Sequence, residues 1–485
     1  MATKKAAKKS SKKTSKKTSK KSSKKAGKGT PAATNGDLRV RMYRIGFGDF
    51  FLITVPTKSG PEHILIDCGV FKGDLGTMAD CVQNLATETD RKLALVIATH
   101  FHADHLSGFA SNFDEFAKFE VGAVWLPNRL DPKRDNAMKL KEHIHKVANQ
   151  LQLRLGARTD ASGIQALHKV QDALGVGEGK NDKALRLLTE GFKNKPPVFY
   201  YEAGDAPHLP KELEGAITAE LLGPAPLSTE GEFSTAENKQ QQYLGEVAEN
   251  GIPFSGGLAP FEKAWPASAA DYPEAAFDSY RTPEQVKNRE HGLPEQMEKV
   301  LHDAQPDVLL GLADAIDGTL NNQSLVVLFT CRGKKLLFVG DAQWGNWSYW
   351  LYGKKTTGKT IPSITERAKD ILGSIDFYKV GHHGSTNANP IPAVAALNEE
   401  CVAMCSTESG DPDRARPHGH IENQSEVPRI KLMVEMEKRI QNRLVRSDWI
   451  KVGEFAPSPE ARGQLAKLPP NFSPGDLFID YVFPK

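Results

Sequence analysis

The stretch THFHADHLSG, residues 99–108, places three histidines and an aspartate within six positions. It continues LALVIATH (93–100), an almost continuously apolar run that predicts a strand buried on both faces. His100 and His102 lie two positions apart at the end of this strand, so their side chains can leave it on the same side. Two imidazoles that point the same way predict the first half of a metal centre.

Asp104 and His105 follow in the turn after the strand, and they predict a second, adjacent metal site. Imidazole and carboxylate ligands together suit Zn, Mn or Fe better than Mg or Ca. A second histidine pair with the same spacing, His143 and His145, falls in a helical pattern. Residues two apart on a helix point in nearly opposite directions, so we interpret this pair as surface residues.

Two later segments offer ligands that would complete a pair of sites. FVGD (338–341) ends a strand with Asp341, whose carboxylate could bridge two cations. KVGHHGS (379–385) ends another strand with His382 and His383, one of which would close the second site. Two metals roughly 3.5–4 Å apart can hold a shared water and lower its pKa.

Asp67 ends a further predicted strand, HILIDCG (63–69). An acid in this position is suited to orient a ligand histidine, because metal-bound imidazoles commonly donate their other N–H to a carboxylate. A turn cap after the strand is the alternative, and the residues leave both open.

The bulk composition favours a globular protein of a reducing compartment. The chain has 485 residues, 39% of them hydrophobic, enough for two to three domains or one large domain with insertions. Apolar runs stay well short of the roughly 18–20 residues that span a bilayer. The lysine-rich start has no apolar segment typical of a secretory signal. Five cysteines without a CxxC pair fit the cytoplasm.

Residues 1–36 form a block of different chemistry, with 13 lysines and no acid. The remaining body carries 50 basic and 60 acidic residues, about −10. We interpret the block as a disordered tail. It could neutralise nucleic-acid phosphates, with a nucleoid-associated location, or it could be an extension without a partner; both interpretations stay open.

The body, 37–485, is expected to be one domain with insertions at about 130–195 and 225–305. Its strand patterns fall in two groups with helices between and after them, which predicts two sheets packed face to face with helices outside. A helix is predicted at about 427–444. The predicted strands are 38–45, 50–55, 63–69, 93–100, 121–127, 198–201, 216–222, 324–331, 334–340, 377–381 and 400–407.

Taken in order, the motifs ILIDCG, HFHADH, FVGD and GHHGS resemble those of the metallo-β-lactamase superfamily. The resemblance implies an α/β fold, the αββα sandwich, with a dinuclear site at one edge. RIGFGDFFLI (44–53) and NNQSLVVLF (321–329), with FVGDA and KVGHHGS, are closer to the soluble hydrolase domain of bacterial DNA-uptake competence proteins. Their usual G-Q-G-D turn is GFGD here.

The resemblance also implies roles for the ligands. His100 and His102 would bind metal 1, and Asp104 would bind metal 2 and take part in catalysis. His105 and either His382 or His383 would join Asp104, with His382 favoured because it directly follows the strand-ending glycine. Asp341 would bridge, and Asp67 would support catalysis. Many members add another histidine to metal 1, but the corresponding strand here ends in LLGP without one.

Candidate substrate-binding residues follow these motifs in the sequence. WGNWSYWLYGKK (344–355) follows Asp341 with Trp344 and Trp347, which could stack bases or cradle a quaternary ammonium. A helix that packs these aromatics into the core is the alternative. Ser385 and His418 are further candidates, and a plain loop is the alternative for His418.

These observations predict a cytoplasmic hydrolase with two divalent ions, zinc or else manganese, that attacks its substrate with a metal-bound hydroxide. The competence-like motifs and the lysine tail favour a phosphodiester, including nucleic acid. A lactonase or β-lactamase-like amide hydrolase is one alternative. A nucleic-acid-binding protein that acts through its tail is the other.

Overall fold

The computed structural model describes residues 36–71, 77–135, 152, 167, 170–171, 180–226, 317–353, 363–408, 427–449 and 469–484. Nearly all of the lysine-rich block lies outside the described residues, as do His143, His145 and His418. The predicted insertion at 225–305 also falls outside them, apart from its first two residues.

Within these ranges the chain forms a mixed α/β fold with two sheets, which confirms the predicted class at that level. Strands lie at all of the positions where the sequence predicts them, and three more follow near the end of the chain. They are β1 (Arg39–Tyr43), β2 (Phe51–Thr57), β3 (Gly60–Ile66), β4 (Lys92–Ile97), β5 (Glu120–Pro127), β6 (Val198–Tyr201), β7 (Ile217–Gly223), β8 (Val326–Cys331), β9 (Lys334–Phe338), β10 (Phe377–Lys379), β11 (Val402–Cys405), β12 (Leu444–Arg446), β13 (Phe472–Pro474) and β14 (Phe478–Val482).

The first sheet has the order β13-β14-β1-β2-β3-β4-β5-β6, and the second has the order β12-β11-β10-β9-β8-β7. Strands β3 to β6 run parallel to one another, and so do β9 to β12. The remaining neighbours are antiparallel. The β8–β9 hairpin turns at Arg332 and Gly333, which both have positive φ, as tight hairpin turns require.

Helices connect and cover the strands. The predicted helix at about 427–444 is shorter than expected: it ends at Arg439, a turn follows, and Leu444 begins β12 beside β11. The α-helices are α1 (Met78–Glu88), α2 (Ala103–Ser111), α3 (Phe113–Phe116), α4 (Lys180–Arg186), α5 (Trp344–Tyr352), α6 (Glu366–Leu372), α7 (Ile391–Ala396) and α8 (Ile430–Arg439). In the part of the chain that the structure describes, none is long and apolar enough to cross a bilayer.

The two sheets share one buried core. Phe51 of the first sheet lies 5.9 Å from Phe338 of the second between ring centroids, and Trp125 stacks on Phe329 at 6.4 Å. Apolar residues of α5 to α8 belong to the same core. A second core lies between the first sheet and the helices α1 to α4.

The strand β4 contributes to both cores, as its continuous apolar run predicts. Leu95 and Ile97 pack into the core that the sheets share, whereas Leu93 and Val96 pack against the outer helices. Burial on both faces fixes where this strand ends, and therefore where the histidines after it are placed.

Candidate metal centre

A group of buried histidines and aspartates lies where parallel strands of both sheets end. Asp67 follows β3, His100 follows β4, Asp341 follows β9 and His383 follows β10. The carboxyl ends of parallel strands meet at one edge of a sheet, where ligand sites of α/β folds commonly form. Six of these residues are referred to below as the centre: His100, His102, Asp104, His105, Asp341 and His383.

The local structure after β4 differs from the predicted open turn. Asp104 and His105 lie in the first turn of α2, whose N-cap is His102 in an extended conformation. An acid in the first turn is favourable because the partial positive charge at a helix N-terminus attracts it. Backbone hydrogen bonds from His105 and Leu106 to the His102 carbonyl, at 3.2 and 3.0 Å, form the start of this helix where the sequence predicts a turn.

His100 and His102 form the first half of the centre. Nε2 of His100 lies 3.1 Å from Nδ1 of His102, and both side chains are fully buried. Burial lowers the pKa of each imidazole from its ordinary value, and for His100 the neighbouring His105 and His102 add to the effect. Two neutral imidazoles therefore converge, and neutral imidazole is the form that binds a metal. Together with Asp104 they bring three ligand atoms within 4.8 Å of one another.

Asp67 supports His105, as an orienting acid would. Its Oδ2 lies 2.7 Å from Nδ1 of His105, and its Oδ1 accepts a hydrogen bond from the backbone N–H of Thr99 at 2.7 Å. Oδ2 also accepts from the Thr99 hydroxyl at 2.8 Å. The carboxylate fixes the imidazole so that its other nitrogen, Nε2, points into the centre.

The second half of the centre forms around His105 and Asp341. Nε2 of His105 lies 3.2 Å from Oδ2 of Asp341 and 3.6 Å from Oδ1 of Asp104. Asp104, His105, Asp341 and His383 bring four ligand atoms within 4.8 Å of one another. The sequence leaves the second histidine of this site open between His382 and His383, and the group that the structure brings together contains His383.

The structure places the two adjacent histidines differently. Nε2 of His383 lies 2.9 Å from Oδ2 of Asp104, and its Nδ1 hydrogen-bonds to the Ser406 carbonyl at 2.8 Å. His382, which sequence reasoning favoured, lies 3.7 Å from Asp341 Oδ2 and has a side chain 17% exposed. Both residues have positive φ, so the backbone turns sharply here and sends the second side chain inward. Their roles as ligands remain predictions.

The charges of the centre act strongly on one another. Burial works against the charged form of Asp341, yet His105, His382 and Lys379 hold its pKa well below the ordinary value. Burial also works against protonated His105, yet Asp341, Asp104 and Asp67 raise the pKa of this imidazole well above the ordinary value. The buried carboxylates thus make the centre a place that favours positive charge.

Two residues that sequence reasoning assigned no role complete the surroundings. Asp49, at the end of the GFGD turn, is 1% exposed, and Lys379, at the end of β10, is 2% exposed. Lys379 forms an ion pair with Asp49 and lies 3.3 Å from Oδ1 of Asp341. The signal was present in the sequence, because both residues belong to the quoted motifs GFGD and KVGHHGS.

Asp317 is a further acid near His102. Burial lowers the pKa of His102, and Asp317 is the first of the carboxylates that oppose this. Its Oδ2 accepts hydrogen bonds from Asn321 at 3.2 Å and from Gln343 at 3.5 Å. The first half of the centre thus has an acid near it, although the predicted strand end LLGP offers no histidine.

These residues fit divalent cations. His105 Nε2 and Asp341 Oδ2 are fully buried and face each other at 3.2 Å, and neither atom makes a well-aligned hydrogen bond with the described residues. Asp49, Asp67, Asp104 and Asp341 are each at most 2% exposed, whereas Lys379 is the buried lysine beside them. Buried charges in proteins are paired or bind metals, so the gathering of these carboxylates beside imidazoles matches a site for cations.

The residues predicted to contact a substrate are not among the six residues of the centre. Trp344 and Trp347 are both 1% exposed within the shared core, and Trp347 donates its indole N–H to the Ala342 carbonyl. Such burial favours the core-packing alternative for both. Ser385 directs its hydroxyl to Oδ1 of Asn387 at 2.8 Å and is partly exposed. His418 lies outside the described residues.

Close backbone packing holds the centre in place, and it makes a testable prediction. A Cβ added to Gly69 would lie 2.4 Å from the backbone nitrogen of His105 and 2.5 Å from the carbonyl carbon of Asp104. We expect Gly69→Ala to lower the free energy of unfolding by about 1–3 kcal/mol, because backbone atoms cannot move aside as a side chain can. Denaturant unfolding measures it. Gly36→Ala is the control, since nothing lies within 4 Å there; equal stability of both variants would contradict this packing.

Comparison with known proteins finds a weak structural similarity and no match among family models or curated proteins. No family model matches the chain, and no curated protein matches it. Among solved structures, a β-lactamase domain protein from Burkholderia ambifaria is similar over 40% of this chain, with 15% identity and a TM-score of 0.21. The match spans about half of that protein, 51% of its chain. A TM-score this low supports no conclusion about fold or function.

Proposed function

We propose that this chain is a metal-dependent hydrolase of the metallo-β-lactamase type, with two divalent cations and a phosphodiester substrate. The observation that carries the proposal is the convergence of two overlapping groups of buried ligands at the strand ends. His100 and His102 would hold one cation, and His105 and His383 the other. Asp104 and Asp341 would supply carboxylate ligands between these two histidine pairs.

Cations in such a centre would supply Lewis acidity and would lower the pKa of a water in the site, which is the chemistry that hydrolysis needs at neutral pH. The chain's own residues would arrange the centre. Asp67 holds the Nδ1 proton of His105, and Ser406 accepts from Nδ1 of His383. Both imidazoles thereby present Nε2 to the centre in a fixed orientation.

His382 differs from the other histidines of this edge, because its side chain is 17% exposed and theirs are buried. A partly exposed imidazole 3.7 Å from Asp341 is placed where a substrate would approach from solvent. We assign it a role in binding the substrate, where its N–H could donate a hydrogen bond to a phosphoryl oxygen.

The phosphodiester class rests on the sequence. The motifs around GFGD, NNQSLVVLF and KVGHHGS resemble those of the competence-type hydrolase domain, and residues 1–36 carry 13 lysines that suit a polyanion. The net charge of the remaining chain, about −10, does not suit a nucleic-acid cleft. The tail would then supply the affinity for nucleic acid from outside the cleft.

Hydrolysis by the full-length protein tests the proposal. We expect turnover of a chromogenic phosphodiester or single-stranded DNA with Zn or Mn, and a loss of at least about 100-fold in His102→Ala. A lactone and a β-lactam are offered in parallel. His208→Ala is the matched control, because His208 is an exposed histidine that packs on Phe199 away from the centre.

The outcomes separate the alternatives. Turnover of the lactone or lactam alone would move the substrate to the amide and ester class. Turnover that survives in His102→Ala would remove the centre from the reaction. If cations bind and nothing is hydrolysed, a gel-shift titration with DNA decides whether residues 1–36 carry the function. Binding that weakens steeply with salt, and disappears when these residues are deleted, would support the nucleic-acid-binding alternative.

A further inference from the structure

Lys379 is a fully buried lysine at the point where the two sheets bring their carboxylates together. Its Nζ donates to the Gly340 carbonyl at 2.8 Å and to Oδ1 of Asp341 at 3.3 Å. The same ammonium forms an ion pair with Asp49. The ammonium is thus directed at Asp341 of the centre and at groups beside it, and Lys379 is only 2% exposed to solvent.

The two oxygens of Asp341 have different surroundings because of this lysine. Oδ1 faces the ammonium, whereas Oδ2 lies 3.2 Å from His105 Nε2 and 3.6 Å from His383 Nε2. Rotation of the carboxylate would break the contact with Lys379 in order to form another. One oxygen is therefore anchored and the other is kept toward the imidazoles.

Asp49 extends this anchoring to the helix that carries Asp104. The Asp49 backbone N–H donates to the Asp104 carbonyl at 2.9 Å, and its carbonyl accepts from Gly69 N–H at 3.0 Å. Lys379 of the second sheet is therefore connected through Asp49 to the strand ends of the first. A single ammonium connects elements that lie more than three hundred residues apart in sequence.

We propose that Lys379 is a positioning residue of the metal centre: it anchors Asp341 and Asp49 so that Oδ2 of Asp341 is presented to the cations. The inference rests on the proposed function in so far as that function requires bound cations. Neutralisation of a buried carboxylate is the simpler role that a lysine can have here. The two roles differ in what happens when Asp49 and Lys379 are neutralised together.

The test compares cation binding by full-length variants. Lys379→Met removes the ammonium, and Asp49→Asn combined with Lys379→Met leaves the net charge of the trio with Asp341 unchanged. Isothermal titration with Zn gives affinity and stoichiometry, the visible spectrum of the Co(II) form reports the coordination, and thermal unfolding without metal reports stability. Lys334→Met is the matched control, because Lys334 pairs with Asp376 at 2.9 Å outside the centre.

We expect a loss of about 10–100-fold in Zn affinity for Lys379→Met, the range typical of residues that orient ligands. The double variant should recover thermal stability, yet keep the weak Zn binding and an altered Co(II) spectrum. If Lys379→Met does not fold, the double variant alone tests the inference, because the net charge of Asp49, Asp341 and residue 379 is then the same as in the wild type.

Recovery of both stability and Zn affinity in the double variant would overturn the inference and leave Lys379 as a neutralising charge. Wild-type affinity in Lys379→Met would overturn it as well. In either case the proposed function stands, since the wild type binds cations. Absence of cation binding by the wild type would overturn the proposed function itself, and this inference with it.

Discussion

Asp341→Asn is expected to abolish most of the cation binding and the hydrolytic activity that the proposed function assigns to this protein. The substitution keeps the size of the side chain but removes the negative charge that faces three imidazoles, whose Nε2 atoms lie 3.2, 3.6 and 3.7 Å from Oδ2. An amide is a far weaker ligand than a carboxylate for Zn or Mn. The loss should therefore exceed the roughly 100-fold that is typical for residues that only support a ligand.

The same substitution should change the stability of the metal-free protein. Lys379 would lose one of its two carboxylate partners, and His105 would lose the first of the acids that raise its pKa. A buried cation without its partner is costly, so the melting temperature should fall in the absence of metal. Isothermal titration, metal analysis after dialysis, and thermal unfolding measure these effects separately.

Asp480→Asn is the matched control for Asp341→Asn. Asp480 is also a buried aspartate in an ion pair, with Arg41 at 2.7 Å, but it lies on β14 away from the centre. Both variants should lose stability, whereas only Asp341→Asn should lose cation affinity. Equal cation affinity in the two variants would exclude Asp341 as a ligand.

The second large effect is expected for Asp67→Asn. The Asp67 carboxylate accepts three short hydrogen bonds, two from Thr99 and one from His105, all between 2.7 and 2.8 Å. An amide can replace one accepting oxygen but would place N–H groups against the other donors. We expect a loss of about 1–3 kcal/mol in the free energy of unfolding. Cation affinity should fall about 10–100-fold, because His105 would no longer be oriented.

Asparagine is preferred to alanine in this experiment because of the backbone. Asp67 has a φ of 54°, and asparagine tolerates this left-handed conformation about as well as aspartate does. Asp90→Asn is the matched control, since Asp90 has a φ of 49° and a side chain 90% exposed. Denaturant unfolding and Zn titration should both distinguish the two variants. An Asp67→Asn protein with the stability and affinity of Asp90→Asn would show that the acid is a simple turn cap.

The strand β4 was predictable because a continuous apolar run, burial on both faces and strand structure are all local consequences of residue type. The β8–β9 hairpin was predictable for the same reason, since Arg332 and Gly333 interrupt two apolar runs. By contrast, β14 pairs with β1 about 440 residues away, with Asp480 opposite Arg41, and neither strand carries a local signal of that pairing.

Within the centre, the residue types came from the sequence and their arrangement came from the fold. Three histidines and an aspartate after a buried strand determined by themselves that a set of potential metal ligands would lie at the end of β4. The tertiary structure alone decided that His383 rather than His382 lies closest to Asp104, and that Lys379 and Asp49 join them. The physical reason is that the direction of a side chain at a strand end depends on backbone torsions such as the positive φ of both histidines. Close approach between two sheets also depends on packing that no local pattern contains.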